Sequence, residues 1–424
     1  MKKLLAAVAA LTFLVVLLLV VLREPVQTPP SAWLVLPDGS SNRIVAVTYG
    51  TNHLIGSPLG RMLARLPDAV QDELPVLIHR TETPQPALVI WIEHQANPGV
   101  PPPAFGAACE RLSDGAGFIS GPQSFPVGSL GTVDIEPAVF EAFPRRDPKL
   151  TVNFFYPLPT GQITNCGSLQ FPNPLSRAYP EWQPEPLPAK KVTNDFEVTL
   201  LAVHARNDDT WVDLRITPPA GGPNWQIVGV ESSDATGNRV HNFPMNWSVR
   251  GNDIGFDLGF SLQSGLWPSE KAWKLKFELA RTTGFAPDTL LTFKNVPLGL
   301  VNSSNAVGWT TNFAGVTLTL AGIARRAPKT NAFDHGLTPS NVKLTNSRLP
   351  AGTRLDLLSI TFDQGTTNQS ESFSFSDNER NYSLSQIPLD AKTADFTFAV
   401  HQSRFVEFTV RPELPAPATN SAGR

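Results

Sequence analysis

Cysteine, methionine and charge are all scarce in this 424-residue chain. It holds two cysteines and three methionines, too few thiols for a four-cysteine zinc site, an Fe–S cluster or a multi-disulfide scaffold. Charged residues make up 17% and the net charge is −3. No cationic excess exists to neutralise phosphates, which excludes general nucleic-acid binding. The seven histidines form no H-E-x-x-H or H-x-H pattern, and no metal or other cofactor is expected. The G-x-S-x-G turn of serine hydrolases is absent. Gly56-Ser57-Pro58 comes nearest, and its proline is wrong for that turn. Helical stretches are also few: with 40 prolines, each costing ~3 kcal/mol inside a helix, a mainly helical fold is excluded.

What the chain does have begins with an apolar run from Leu4 to Leu22, broken only by Thr12 and preceded by Lys2 and Lys3. A helix over it spans ~28 Å, close to the ~30 Å hydrocarbon core. The A-x-A-like site Ala7-Val8-Ala9 comes too early for cleavage, and Arg23-Glu24-Pro25 follows the run. The pattern fits an uncleaved signal anchor over residues 1–23 better than a cleaved signal peptide or a buried core helix. The two lysines place the N-terminus in the cytoplasm. The expected localisation is a single-pass membrane protein whose bulk is extracytoplasmic, periplasmic or extracellular. Disulfides persist in such compartments, so Cys109 and Cys166 are expected to bridge, for ~4 kcal/mol; two buried thiols are the alternative.

The patterning predicts a mainly β chain. A Pro-rich linker occupies 24–32, and 33–178 reads as a mixed, β-rich domain. In it, Leu34–Leu36, the turn Pro37-Asp38-Gly39-Ser40 and Ile44–Tyr49 read as strand, turn, strand. Gly60–Glu73 reads as a short helix broken by Pro67. His79 and His94 fall on two strands expected to form a hairpin around Thr81–Pro86, in a register that keeps them apart. A second Pro-rich linker covers 179–191. Beyond it, Val198–Val203 with Trp211–Ile216, and Gln226–Val230 with Val240 onward, read as hairpins. Trp273–Leu279 alternates strictly, with Lys274, Lys276 and Glu278 toward water.

A weak repeat relates Val198-Thr199-Leu200 to Val316-Thr317-Leu318, Leu275-x-Phe277-x-Leu279 to Phe396-x-Phe398-x-Val400, and Leu291-Thr292-Phe293 to Phe408-Thr409-Val410. The spacing is about 120 residues and the order is kept. Two tandem β-sandwich modules of immunoglobulin-like or fibronectin-like architecture, 192–300 and 301–414, are therefore expected before a tail at 415–424. Neither carries a Cys…Trp…Cys core. The segment Val192–Pro415 is expected to fold without the rest and to carry no catalysis.

Other polar groupings read as ordinary surface. Asn207-Asp208-Asp209 offers about three oxygens where Ca²⁺ takes six to eight. Asp134 and Glu136 sit on one face of one strand rather than across a cleft. Trp225 and Trp267 lie between turn residues, where exposed rings could stack on sugars, although packing against loop backbone is the first expectation for both. The first function expected is a non-enzymatic, membrane-anchored envelope protein serving as spacer or protein-interaction platform. The second is an envelope glycan-binding protein using Trp225 and Trp267. The third is an enzyme with its site in Trp33–Leu175. The expected partners are the membrane, through the N-terminal helix, and envelope proteins or glycans.

Overall fold

The computed structural model describes residues 31–56, 78–95, 97, 109–113, 119–120, 133–157, 163–205, 209–242, 245–252, 255–262, 266–267, 269–325, 340–365, 367–368, 371–376, 378–384, 387–388 and 390–413. The expected anchor over 1–23, the helix over Gly60–Glu73 and the tail at 415–424 lie outside these residues. Among the described residues no helix is long and apolar enough to cross a membrane. The fold is mainly β, built of antiparallel sheets packed in pairs.

The first pair holds β1 (Leu34–Val35), β2 (Ser41–Gly56), β3 (Ile78–Gln95), β4 (Cys109–Ser113), β5 (Ile119–Ser120), β6 (Val133–Phe140), β7 (Lys149–Pro157) and β8 (Ile163–Pro172). Its sheets run β1-β2-β3-β6 and β5-β4-β7-β8. Ile44, Leu88, Ile90 and Phe140 of one sheet meet Val152, Phe154 and Phe171 of the other in one core. The Asp38-Gly39 turn forms as expected, with Gly39 at φ 81° and Leu34 opposite Asn42.

The hairpin expected around Thr81–Pro86 does not form. β3 is one strand paired with β2 along its length, Gly50 facing Ala87 and Asn52 facing Glu82, so Thr83–Pro86 loops out of the ladder. Pro84 and Pro86 have no N–H to give that ladder, and a bulge accommodates them. His79 lies opposite Ile55 and His94 opposite Asn42, at the two ends of the strand.

The Cys109–Cys166 bridge is not seen either; among the described residues there is no disulfide. Strand order supplies the reason. β7 lies between β4 and β8, and its Phe155 faces both Cys109 and Asn165. Two strand spacings of ~4.8 Å put the cysteine backbones about 10 Å apart, past the ~7 Å limit for a bridge.

The second pair comprises β9 (Ala189–Val192), β10 (Glu197–Ala205), β11 (Thr210–Thr217), β12 (Trp225–Asp234), β13 (Arg239–Asn242), β14 (Met245–Asn252), β15 (Gly255–Leu262) and β16 (Trp273–Arg281). The third comprises β17 (Leu290–Pro297), β18 (Ser303–Phe313), β19 (Val316–Arg325), β20 (Ser340–Asn346), β21 (Thr353–Phe362), β22 (Thr367–Asn368), β23 (Glu371–Ser376), β24 (Glu379–Leu384) and β25 (Thr393–Gln402). The last strand, β26 (Arg404–Val410), returns to the second pair. The sheets run β14-β15-β11-β10-β9 with β13-β12-β16-β26, and β18-β19-β20-β24-β23 with β17-β25-β21-β22.

The modules expected at 192–300 and 301–414 therefore divide the chain differently from its hydrogen bonds. β17 leaves the first module and pairs with β25, while β26 leaves the second and pairs with β16. The cores follow the hydrogen bonds. Val406, Phe408 and Val410 are buried with Leu275 and Phe277, and Phe293 is buried with Phe396 and Phe398. The third sandwich is thus an insertion between β16 and β26 of the second.

The stretch 179–191 is a docked strap rather than a free linker. Glu185 N donates to Thr409 O at 2.6 Å, and Thr409 N to Glu185 Oε1 at 3.2 Å. Leu187 packs on the core, and the strap ends as β9. The first domain is fixed to the next sandwich as well. Phe143 N and O bond the Asn238 amide at 3.2 and 2.9 Å. Arg146 makes two 2.8 Å bonds to Glu270, which is 2% exposed.

Two outcomes are expected. Phe408→Ala in the full chain should cost about 3–5 kcal/mol in chemical denaturation, as truncation of a fully buried ring does; a loss under about 1 kcal/mol would show that β26 does not complete the first core. Under denaturing, non-reducing conditions both cysteines should take up a thiol label, and a chain that takes up none would contradict the strand order.

Candidate functional site

The richest grouping of ionisable side chains lies where the two C-terminal sandwiches meet. Alternation along β25 and β21 turns Phe398, Val400, Leu355 and Leu357 into the core and leaves His401, Arg354 and Asp356 on the opposite face. His401 Nε2 lies 2.7 Å from Asp356 Oδ2. Arg354 reaches Glu278 of β16 at 3.4 Å and Asp356 at 3.6 Å. Ser403, the one residue between β25 and β26, donates its hydroxyl to Glu278 Oε1 at 2.6 Å. Burial pushes the Asp356 carboxyl up, but the His401 hydrogen bond and the charges of Arg354 and Arg380 outweigh this and hold it below its ordinary value. Burial raises the Tyr382 hydroxyl, which donates to Leu355 O at 3.2 Å.

Beside this cluster is a cavity of about 280 Å³, lined by Trp225, Arg281, Phe285, Thr353, His401 and Gln402 among others. Phe285 meets the His401 ring edge-on at 5.1 Å, and the Arg281 guanidinium lies 5.3 Å over Trp225. The grouping is one of mutual pairing: imidazole with carboxylate, guanidinium with carboxylate, hydroxyl with carboxylate. Ser403 gives its proton to Glu278 rather than to His401, so no hydroxyl–imidazole relay is assembled. Among the described residues no group of three or more His, Cys, Asp or Glu is placed to hold a metal ion.

The two tryptophans whose rings could have stacked on sugars are buried. Trp225 is 2% exposed and packs on Phe196 at 4.8 Å. Trp267 is 4% exposed and meets Trp273 edge-on at 5.0 Å. Turn residues flank both, but each ring folds back into the core of its own sandwich, so neither offers a face to a sugar. The other histidines are scattered. His53 is buried with its ring nitrogens against the Thr48 and Thr83 hydroxyls, and its burial pulls its pKa down. His94 bonds Asn42 at 2.7 Å, and His204 lies near Glu413. His335, Asn207 and Asp208 lie outside the described residues.

Sequence reasoning missed the cluster because its members come from β16, β21, β25 and the crossing residue Ser403, with no local motif. It assigned Glu278 to water. Alternation gave the right face, but another sandwich packs near that face.

No family model matches the chain, and no curated protein matches it. A solved structure, the crystal structure of the conserved domain protein from Bacillus anthracis, is similar over 54% of this chain and 90% of its own. The identity is 8% and the TM-score 0.18, values that carry no argument about fold or function.

A carboxylate held below its unfolded value stabilises the fold at pH above that value, and the contribution fades as pH falls through the folded value. Asp356→Asn should therefore lower stability most near neutral pH, with the gap to the natural protein closing below the ordinary aspartate value of 3.8. Melting curves across pH test this. A gap that is constant or widens in acid would contradict the pairing.

Proposed function

We propose that this chain is a non-enzymatic, membrane-anchored envelope protein whose β-sandwiches, of immunoglobulin-like or fibronectin-like architecture, form a rigid spacer and protein-interaction platform outside the membrane. The observation that carries the reading is how the sandwiches are joined. Asn238 and Glu270 tie the first domain to the second, and two chain crossings, with Ser403 and Arg354 bonded to Glu278, tie the second to the third. Buried junctions of this kind hold modules at fixed positions, which suits a spacer, whereas flexible tethers let them move independently. The apolar run Leu4–Leu22 supports the anchor. The low charge gives no reason to add nucleic acid to the partners.

The glycan-binding alternative loses its two named rings to the core. The enzyme alternative, placed in Trp33–Leu175, gains no support from His53, which is buried with its ring nitrogens against two threonine hydroxyls.

The full chain, expressed with its native N-terminus, should stay in the membrane fraction after alkaline carbonate washing, and its intact mass should include residues 1–23. A mature chain beginning after residue 20, or one released by the wash, would end the anchored reading.

A further inference from the structure

The two C-terminal sandwiches match strand for strand. The order β14-β15-β11-β10-β9 corresponds to β23-β24-β20-β19-β18, and β13-β12-β16-β26 to β22-β21-β25-β17. Irregularities coincide as well. The ladder slips at Leu201 in β10 and at Ala321 in β19, and again at Val228 in β12 and Leu358 in β21. Bulges are positional features of a fold, so shared bulges mark equivalent strands. In this correspondence β26 occupies in one sandwich the place that β17 occupies in the other. Yet along the chain β17 ends the first run of strands, β9 to β17, and β26 ends the second, β18 to β26.

We infer that these two runs are copies of one repeat that recognise each other by reciprocal donation of the last strand. The open edge of β16 receives β26, the open edge of β25 receives β17, and the covalent link between the runs at Leu298–Asn302 is dispensable for the pairing. The partner that fits each edge is the closing strand of a like repeat.

The chemistry of the two acceptor edges is the same. β16 turns Leu275, Phe277 and Leu279 inward, and β26 sets Phe408 opposite Leu275 and Val406 opposite Phe277. β25 turns Phe396 and Phe398 inward, and β17 sets Phe293 opposite Phe396 and Leu291 opposite Phe398. Each donated strand supplies apolar side chains at alternate positions to a core otherwise open on one side, together with a full antiparallel ladder. Strand addition to an open edge is a general recognition mode in which main-chain bonds give affinity and alternate side chains give register. Here the donors are exchanged within one polypeptide, as in a swapped dimer whose two subunits have been joined.

The test keeps the protein whole until it has folded. A protease site is placed at Leu300, which is 81% exposed in the link between the runs, and the folded full chain is cut there. The two pieces should co-elute one-to-one under native conditions and keep the unfolding midpoint of the uncut protein. Separated in denaturant, the C-terminal piece alone should show no cooperative transition, and mixing it with the N-terminal piece should restore one. Amide exchange on the cut complex gives a second readout, in which β16 stays as protected as in the intact chain. Pieces that part in native buffer, a C-terminal piece that unfolds cooperatively alone, or a β16 that loses protection on cutting would each overturn the inference. None of these outcomes depends on membrane anchoring or on the platform reading.

Discussion

The chain passes from the third sandwich back to the second in a single residue, and the arrangement of the C-terminal half depends on that crossing. Ser403 N donates to Gly352 O at 2.8 Å, on one sandwich, and Ser403 Oγ to Glu278 Oε1 at 2.6 Å, on the other. With no slack on either side, β26 begins beside β16 as soon as β25 has ended. The apolar side chains of β26 then complete a core whose other strands lie more than a hundred positions upstream. The polar cluster of Asp356, His401, Arg354 and Glu278 surrounds this crossing. Its pairing is most simply understood as holding two sheets at the distance one residue can bridge.

Residues 282–289 carry the chain from β16 to β17, and at the far end of β17 Arg325 of β19 ties together segments of the third sandwich. Its guanidinium donates to Gly299 O, just past β17, and to Ala391 O and Pro388 O, just before β25. Charge-assisted bonds to several carbonyls are strong when enclosed, and Arg325 is 4% exposed. The first domain docks by the same logic. Asp234 organises its own turn by accepting from Thr236 N and Asn238 N, at 2.9 and 3.0 Å. That leaves the Asn238 amide positioned to bond both backbone groups of Phe143. Apolar burial makes each sandwich, whereas paired buried polar groups help set how the sandwiches meet, even though Arg354 Nε and His401 Nδ1 at the Ser403 crossing find no partner among the described residues. Leaving such a group unpaired costs about 1–3 kcal/mol, so these junctions have one favoured geometry.

Local patterns were legible and partnerships were not. Period-two alternation located β10, β11, β12 and β16, and the Asp38-Gly39 and Gly237 turns lie where their residues predict. The repeat was also visible: the matches around Leu275 and Leu291 fall on β16 with β25 and on β17 with β26, which are equivalent strands. The first match is off by two, because the shared bulge sets Leu200 against Leu320 rather than Leu318. Which repeat a closing strand serves could not be read, since β17 and β26 carry similar alternation and either would suit either edge. The same limit explains the tryptophans. Turn residues around Trp225 and Trp267 mark a bend in the backbone but do not say which way the ring turns. It explains the cysteines too, because membership of one domain does not make two strands neighbours.

If the Ser403 crossing and the Arg354–Glu278 pair couple the second and third sandwiches, the two should open together, because opening the third breaks both contacts. Native-state hydrogen exchange on the full chain tests this most directly. Amides at Val212 and Leu214 in β11 and at Val342 and Leu344 in β20, all at the centres of their cores, should exchange through one opening with a common free energy and a common dependence on denaturant. Two separate sets, with β20 opening at a free energy well below that of β11, would mean that the third sandwich unfolds alone and would contradict the coupling of the two sandwiches through that crossing.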